Sequence, residues 1–244
     1  MMNAASALRA MDEFPLATPH DFVRRGLVVV APHPDDESLG CGGLISACRA
    51  EGVPVAIIIV SDGAGSHPNS QLFPPSRLAA LRCEEAIEAA RHLGVACRDV
   101  HFLDFPDRHV PSSGPELRRA ANRVAALSGQ ADVMAVSWRH DPHCDHQASY
   151  VLAVAAASLL PGLTLWEYPI WGLTLDPLSP LPDPPCAGVR VLIEEHLPTK
   201  RQAIAAHLSQ TTNLVPDDPH GFRLTAPMLA LFGTPWEIFI RSDP

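Results

Sequence analysis

Short, largely apolar runs alternate with amphipathic stretches along most of the chain, and this alternation predicts an α/β fold. A short apolar run is typical of a strand buried on both faces of a parallel sheet. The predicted strands lie at 27–31, 54–60, 99–103, 132–137, 164–168, 189–193 and 236–240. The predicted helices lie at 38–50, 77–93, 115–127 and 147–160, and one more begins at Thr199, where Gln202 completes a capping box. Strands alternating with helices indicate a three-layer, Rossmann-like domain with a mostly parallel sheet.

The strand order expected for such a sheet determines where a ligand would bind. In the common order 3-2-1-4-5, the strands at 27–31 and 132–137 are neighbours where the winding direction reverses. Ligands of these sheets bind outside the carboxyl ends of the strands at that point. A polar motif follows each of the two strands directly. We therefore expect a single active site at the carboxyl ends of the strands.

The first motif is APHPDDES at 31–38, and the second is RHDPHCDHQA at 139–148. Adjacent aspartates such as Asp35 and Asp36 repel each other unless a cation or hydrogen bonds offset their charges. A polar turn that caps the next helix would explain the first motif alone. It does not explain why histidines and aspartates also crowd after the second strand.

The donors in the two motifs suit a catalytic metal. His33, Asp36 and His146 offer three protein ligands, which leaves a position open for water, as in catalytic zinc sites. Another divalent transition metal would accept the same donors. Asp35 and His143 then remain for proton transfer and charge stabilisation. The sequence thus predicts a metal-dependent hydrolase.

Length and composition narrow the setting. The 244 residues fit one domain over 1–244, with an N-terminal extension at 1–25 and a Pro-rich loop at 175–186. The loop is either a rigid surface segment or a rim that contacts substrate. A net charge of −9 argues against a nucleic-acid binder, and no apolar run is long enough to predict a transmembrane helix.

The cellular setting follows from what the sequence lacks. The N-terminal residues do not have the pattern of a secretory signal, and none of the six cysteines forms a Cys-x-x-Cys pair. Reduced thiols and a cytoplasmic location are expected. A homo-oligomer is possible.

The paired motifs resemble the PIG-L or LmbE-like zinc deacetylases, a family of N-acetylglucosaminyl-phosphatidylinositol deacetylase-like enzymes. The resemblance rests on PHPDDE at 32–37 and HCDH at 143–146, and extends from about residue 27 to residue 210. Weaker matches are SDG at 61–63, Arg-x-x-Glu-Ala at 82–86, LGV at 93–95, FPD at 105–107, and Lys200 with His-x-Ser-Gln at 207–210.

This resemblance implies a role for each site residue. The zinc ligands would be His33, Asp36 and His146. Asp35 would be the general base, and His143, in its protonated form, would stabilise the oxyanion of the tetrahedral intermediate. Asp145 would orient a histidine, and Arg82 would hold the substrate. The implied reaction removes an N-acetyl group from an N-acetylglucosamine-type conjugate, a small molecule whose remaining part the sequence does not identify.

One departure from the family pattern and two alternative functions stay open. Cys144 stands where many relatives are expected to have proline, so its thiol either ligates the metal or merely tolerates the turn. The glycines of ESLGCGG at 37–43 resemble the loop of S-adenosylmethionine methyltransferases, but they fall inside a predicted helix, where close packing on the sheet explains them. A non-catalytic sugar- or metal-binding module is the other alternative, although simple binding does not require a spare base at Asp35.

Overall fold

An eight-stranded sheet forms the centre of the structure, a computed structural model that describes residues 2–182 and 187–242. The strands of the described residues, of which β1 and β8 lie outside this sheet, are β1 (Met2–Asn3), β2 (Leu16–Ala17), β3 (Leu27–Ala31), β4 (Val55–Ser61), β5 (Val100–Phe105), β6 (Val133–Ser137), β7 (Thr164–Tyr168), β8 (Pro180–Leu181), β9 (Gly188–Leu192) and β10 (Trp236–Arg241). The helices are α1 (Ala4–Asp12), α2 (Pro19–Phe22), α3 (Asp36–Ala50), α4 (Pro75–His92), α5 (Gly114–Leu127), α6 (Cys144–Ala157), α7 (Leu197–Ala206), α8 (Leu208–Thr211) and α9 (Ala226–Leu231).

The order of the strands places β3 beside β6. The large sheet runs β2-β9-β10-β7-β6-β3-β4-β5, and β1 pairs with β8 in a separate ribbon. Within the large sheet, neighbouring strands are parallel except at β10, which runs antiparallel to both β7 and β9. The segment β5-β4-β3-β6-β7 is the order 3-2-1-4-5 predicted from the sequence, so that prediction is confirmed.

Alternate residues of each strand supply two separate cores. Leu27, Val29 and Ala31 of β3 pack into a cluster with residues of α3, α4 and α7. Val28 and Val30 face the other way and pack with residues of α5 and α6. Because side chains of a strand alternate between the two faces of a sheet, an unbroken apolar run fills both cores. The three-layer arrangement expected from the sequence is confirmed.

Some helix boundaries differ from the predictions, and two of the differences affect the site. Helix α3 begins at Asp36 and helix α6 at Cys144, so both motifs contribute the first turn of a helix. The predicted start at Thr199 is wrong: α7 begins at Leu197, with Pro198 in its first turn, a position that suits proline because that turn's N–H groups have no partner within the helix.

The N-terminal 25 residues contribute elements that the sequence did not predict. Strand β2 extends the sheet in parallel with β9, and α1 packs Ala7 and Met11 into a small cluster with Trp138 and Ile240. A two-residue strand is too short to show a periodicity. In the Pro-rich loop, β8 pairs with β1, whereas residues 183–186, including Cys186, lie outside the described residues.

The structure bears on two further features of the chain, the state of its cysteines and its membrane-spanning potential. The cysteines at 41, 48, 83, 97 and 144 carry free thiols. No helix in the described part of the chain combines the length and apolar character needed to cross a membrane.

Candidate active site

The carboxyl ends of β3 and β6 bring the two polar motifs into contact. The turn after β3 carries His33 and Asp35 and leads into α3 at Asp36, while His146 lies on the first turn of α6. Oδ2 of Asp36 lies 3.3 Å from Nδ1 of His33 and 3.2 Å from Nε2 of His146. The structure therefore brings together the three residues that the sequence proposed as ligands.

Two atoms at this contact are buried without a hydrogen-bond partner among the described residues: Oδ1 of Asp36 and Nε2 of His146. Nε2 of His146 lies 3.2 Å from Oδ2 of Asp36 without making a hydrogen bond to it. Leaving buried polar atoms unpaired costs free energy, and such atoms call for an explanation such as an ion. Their chemistry, one imidazole and one carboxylate, fits a borderline divalent cation.

The pKa values at this contact point the same way. Burial works against the charged form of Asp36, but His146 and His33 outweigh it and hold the pKa of that carboxyl well below its usual range. Burial would lower the pKa of His146, but Asp36 and Asp141 raise it to about 9. Burial would lower the pKa of His33 too, but Asp107, Asp145 and Asp36 raise it. The Asp36 carboxylate therefore lies between two rings that favour a positive charge, which is the balance that a divalent cation would supply.

A carboxylate holds each of the two histidines on its far side. Nε2 of His33 lies 3.2 Å from Oδ2 of Asp145, and Nδ1 of His146 lies 2.8 Å from Oδ2 of Asp141. Metal-bound histidines almost always use their second nitrogen in this way, which fixes the ring and its tautomer. Asp145 thus contacts His33, and that it orients this histidine stays a prediction. Sequence reasoning missed Asp141.

Asp107 is a second residue that sequence reasoning missed. Its Oδ2 accepts a hydrogen bond of 3.0 Å from the Gly65 N–H, and its buried Oδ1 lies 3.8 Å from Nε2 of His33 without a hydrogen-bond partner. Asp107 follows β5, the next strand but one from β3 in the sheet. The FPD match ended at this residue, so the signal was present but was not linked to the site.

Possible ligand atoms gather in two overlapping groups. His33, His143 and His146 form one group, and His33, Asp107, His143 and Asp145 form the other; within each group the ligand atoms lie within 4.8 Å of one another. Both groups include His143.

The hydrogen bond of His143 determines which of its nitrogens carries the proton. His143 caps α6, and its Nδ1 accepts a hydrogen bond of 3.2 Å from the Asp145 N–H. A neutral ring that accepts at Nδ1 carries its proton on Nε2. Burial, with the neighbouring His33 and His146, lowers the pKa of His143. This differs from the expected imidazolium: the structure favours a neutral ring that donates from Nε2.

Asp35 occupies a backbone conformation that residues other than glycine rarely adopt, with φ 145° and ψ −29°. Its N–H donates to Glu37 over 3.0 Å, and its carbonyl accepts from the N–H groups of Ser38 and Leu39. Backbone strain of this kind costs roughly 1–3 kcal/mol and clusters at functional sites. Burial, offset in part by Arg82, raises the pKa of Asp35 to about 6.

The guanidinium of Arg82 is already engaged by the protein. It donates 2.8 Å to the Gly63 carbonyl and 2.6 Å to the Pro34 carbonyl, and it lies 3.2 Å from Oδ1 of Asp35. These contacts position the Asp35 turn. That Arg82 also holds substrate stays a prediction.

A cavity of about 160 Å³ opens onto this cluster. Its lining includes most of the predicted site residues together with residues from later in the chain: His33, Asp35, Asp36, Gly65, Ser66, Arg82, Asp107, Arg108, His143, Trp171, Gln210 and Phe222. The rings of Trp171 and Phe222 meet edge to face, with centroids 5.4 Å apart. Cys144 is exposed, with its Sγ 3.9 Å from Oδ1 of Asp145.

The glycines that suggested a methyltransferase loop lie within α3, where they allow close packing. A Cβ at Gly40 would lie 2.2 Å from the ring of Tyr168, and one at Gly43 would lie 2.5 Å from the side chain of Ile193. Neither distance is sterically possible, so these glycines serve the contact between the helix and its neighbours.

A family model matches the part of the chain that carries the two motifs, and several known deacetylases are similar to the chain. The family model described as PIG-L: GlcNAc-PI de-N-acetylase matches residues 28–157. The diacetylchitobiose deacetylase of Thermococcus kodakarensis is 28% identical over 156 residues, which cover 64% of this chain and 57% of the relative. The chain therefore spans little more than half the length of that enzyme.

Two further comparisons cover more of the chain. A probable N-acetyl-alpha-D-glucosaminyl L-malate deacetylase 2 of Bacillus cereus is 26% identical over 200 residues, which cover 80% of this chain and 88% of the relative. The solved N,N'-diacetylchitobiose deacetylase of Pyrococcus horikoshii superposes with a TM-score of 0.64 at 23% identity, covering 96% of this chain and 90% of that one. The superposition shows a shared fold.

Proposed function

Because this chain belongs to the GlcNAc-PI de-N-acetylase family, whose model matches more than half of its residues, we propose that it is a zinc-dependent hydrolase. Its reaction removes the N-acetyl group from an N-acetylglucosamine-type sugar conjugate. The named deacetylases among its relatives act on diacetylchitobiose or on N-acetylglucosaminyl malate, and these names motivate the substrate class.

The observation that carries the proposal is the pair of unpartnered buried atoms on Asp36 and His146. We assign His33 through Nδ1, Asp36, and His146 through Nε2 as the metal ligands. The second nitrogen of each histidine contacts another carboxylate, so the assigned nitrogen of each ring faces Asp36. His143 is excluded because its Nε2 carries a proton when Nδ1 accepts from the helix.

Nitrogen and oxygen donors in this number suit zinc, although another divalent transition metal would accept them. When bound, zinc supplies a water of lowered pKa and polarises the acetyl carbonyl.

The remaining residues would move the protons. Asp35 takes a proton from the attacking water while the oxygen of that water bonds to the acetyl carbon. With a pKa raised to about 6, Asp35 is ionised at neutral pH and still a better base than an exposed aspartate. Nε2–H of His143 donates a hydrogen bond to the oxyanion. The C–N bond then breaks, and Asp35 returns the proton to the leaving nitrogen, which yields acetate and a free amino sugar.

The alternatives are less compatible with the structure. A binding module has no use for a strained, buried carboxylate whose pKa is raised beside the proposed metal ligands. The methyltransferase alternative requires glycines in a loop, and these glycines lie in a helix against Tyr168 and Ile193. A cytoplasmic location, the absence of nucleic-acid binding and a homo-oligomeric state stay predictions.

The test is acetate release from a panel of N-acetylglucosamine conjugates, measured beside the metal content of the same preparation. We expect release by the zinc-loaded protein, loss of activity after chelation, and recovery when zinc is added back. The matched control is Asp35→Asn, which should keep the metal and lose activity. Acetate release that survives chelation, or none from any conjugate, would contradict the proposal.

A further inference from the structure

Arg108 is a cation of the cavity wall that no part of the proposed reaction uses. It lines the cavity and its side chain is exposed. Within residues 2–182 and 187–242, its guanidinium has no hydrogen-bond or ion-pair partner; only its backbone N–H is engaged. The other arginine of the wall, Arg82, is buried and occupied by the Pro34 and Gly63 carbonyls and by Asp35. Arg108 is therefore available to a ligand.

The backbone of Arg108 is held in an unfavourable conformation. Its φ of 67° lies in the left-handed region, where glycine and asparagine are the common residues. The Arg108 N–H donates to Oδ2 of Asp145 over 2.7 Å, which fixes this turn beside the carboxylate that contacts His33. Asparagine would adopt the turn more readily, so the fold alone does not require a long cationic side chain here.

The charge of the surrounding wall explains what such a side chain would contribute. Asp35, Asp36 and Asp107 line the same cavity, and the protein as a whole carries a net charge of −9. An anionic substrate would be repelled from such a site unless a cation met its charge. A guanidinium meets carboxylate or phosphate oxygens with paired hydrogen bonds.

Resting on the deacetylase function proposed above, we infer that Arg108 binds an anionic group, carboxylate or phosphate, on the part of the substrate attached to the amino sugar. The preferred substrates are then anionic N-acetylglucosamine conjugates, and neutral ones such as N,N'-diacetylchitobiose are poorer. Arg108 sets specificity, while the proposed metal site and Asp35 carry the chemistry.

The test compares kcat/KM for N-acetylglucosaminyl malate, N-acetylglucosamine 1-phosphate and N,N'-diacetylchitobiose. The wild type should favour at least one anionic conjugate, and the better of the two identifies the acid group. In Arg108→Asn the ratio of anionic to neutral kcat/KM should fall about tenfold, the size expected for losing a hydrogen bond between charged groups. Arg108→Lys should restore part of the ratio, because it keeps the charge but not the planar fork. The melting temperature of Arg108→Asn should not fall.

Arg98→Gln is the matched control. Arg98 precedes β5 and Arg108 follows it, so the two arginines lie at opposite ends of that strand, and the side chain of Arg98 is 84% exposed. It should leave the ratio unchanged. An equal fall in kcat/KM for all three conjugates, or a wild type that prefers the neutral one, would overturn the inference.

Binding separates this inference from the proposed function. Calorimetry with metal-loaded Asp35→Asn protein should show tighter binding of the preferred anionic conjugate than of diacetylchitobiose, and adding Arg108→Asn should remove the difference. Absence of acetate release by the wild type would refute the deacetylase alone, whereas equal binding of anionic and neutral conjugates would refute the role of Arg108.

Discussion

Replacing Asp141 by Asn should weaken metal binding by about 10- to 100-fold, although Asp141 is not an assigned ligand. Its Oδ2 lies 2.8 Å from Nδ1 of His146, and its Oδ1 accepts from the Gly172 N–H over 2.6 Å. The Ile170 N–H also points at this carboxylate, 3.2 Å from Oδ2. When His146 binds a metal through Nε2, its proton lies on Nδ1, so all three partners of the Asp141 carboxylate donate hydrogen bonds to it.

Asparagine has only one oxygen to replace these two acceptors. If the amide NH₂ faces His146, the ring must move its proton to Nε2, where the metal would bind. If the NH₂ faces Gly172 instead, a short backbone hydrogen bond is lost in a fully buried place. Each unmade buried hydrogen bond costs about 1–3 kcal/mol, which corresponds to the predicted loss of affinity.

The assay is competition for zinc with a chromophoric chelator, run beside thermal unfolding of the metal-free protein. Asp132→Asn is the matched control, because Asp132 also accepts backbone N–H groups, from Arg24, Arg25 and Gly26, at the start of β6 and away from the site. Both variants should unfold at a lower temperature, but only Asp141→Asn should lose metal affinity. Unchanged affinity in Asp141→Asn, or an equal loss in Asp132→Asn, would refute this account of the site.

Three further predictions concern the proton-transfer groups and the metal. Asp35→Asn should lower kcat about 10²-fold or more with zinc retained, and near-normal turnover in this variant would remove Asp35 from the mechanism. Because the base must be ionised, wild-type kcat/KM should fall as the pH drops below a midpoint no higher than about 6. His143→Asn should keep the cap of helix α6, since asparagine is a good N-cap residue. This variant should retain zinc and lose activity about 10²-fold. Lost zinc with normal turnover per bound metal would instead make His143 a ligand. Because the pKa of His146 is raised from 6.5 to about 9, the metal-free protein gains stability from that proton below pH 6.5 and loses this contribution as the pH rises through 9. The pKa of His33 is raised as well, so zinc uptake at pH 7.5 should release protons from both histidines, measurable by calorimetry in buffers of different ionisation enthalpy. No release would contradict protonated histidines in the metal-free protein.

The sequence predicted the centre of the site because its residues lie within two short motifs at neighbouring strand ends. His33, Asp36 and His146 could be grouped from the donor types in the two motifs together with the expected order of the strands. Asp141 lies within the second motif, but its role depends on Ile170 and Gly172, some thirty residues further along the chain. No local pattern reveals such a contact.

The protonation of His143 also required the structure. The spacing to His146 showed that the two residues lie near each other, but it did not show that Nδ1 of His143 caps a helix. The predicted start of α6 at residue 147 left His143 outside any helix, whereas the helix begins at Cys144. One boundary error of three residues therefore concealed which nitrogen donates.

The placement of β10 between β9 and β7 has a consequence for how the chain folds. Because β10 separates β7 from β9, and β2 joins the sheet only through β9, residues 16–17 cannot find their place before residues 236–241 do. The segment from β3 to β7 needs no such distant partner, and it contains every assigned ligand. Contacts between distant residues close slowly, so we expect pulse-labelled amides of β3 and β6 to become protected from exchange before those of β2 and β9. A nascent protein would then possess its metal ligands before Gln210 and Phe222 complete the wall of the cavity.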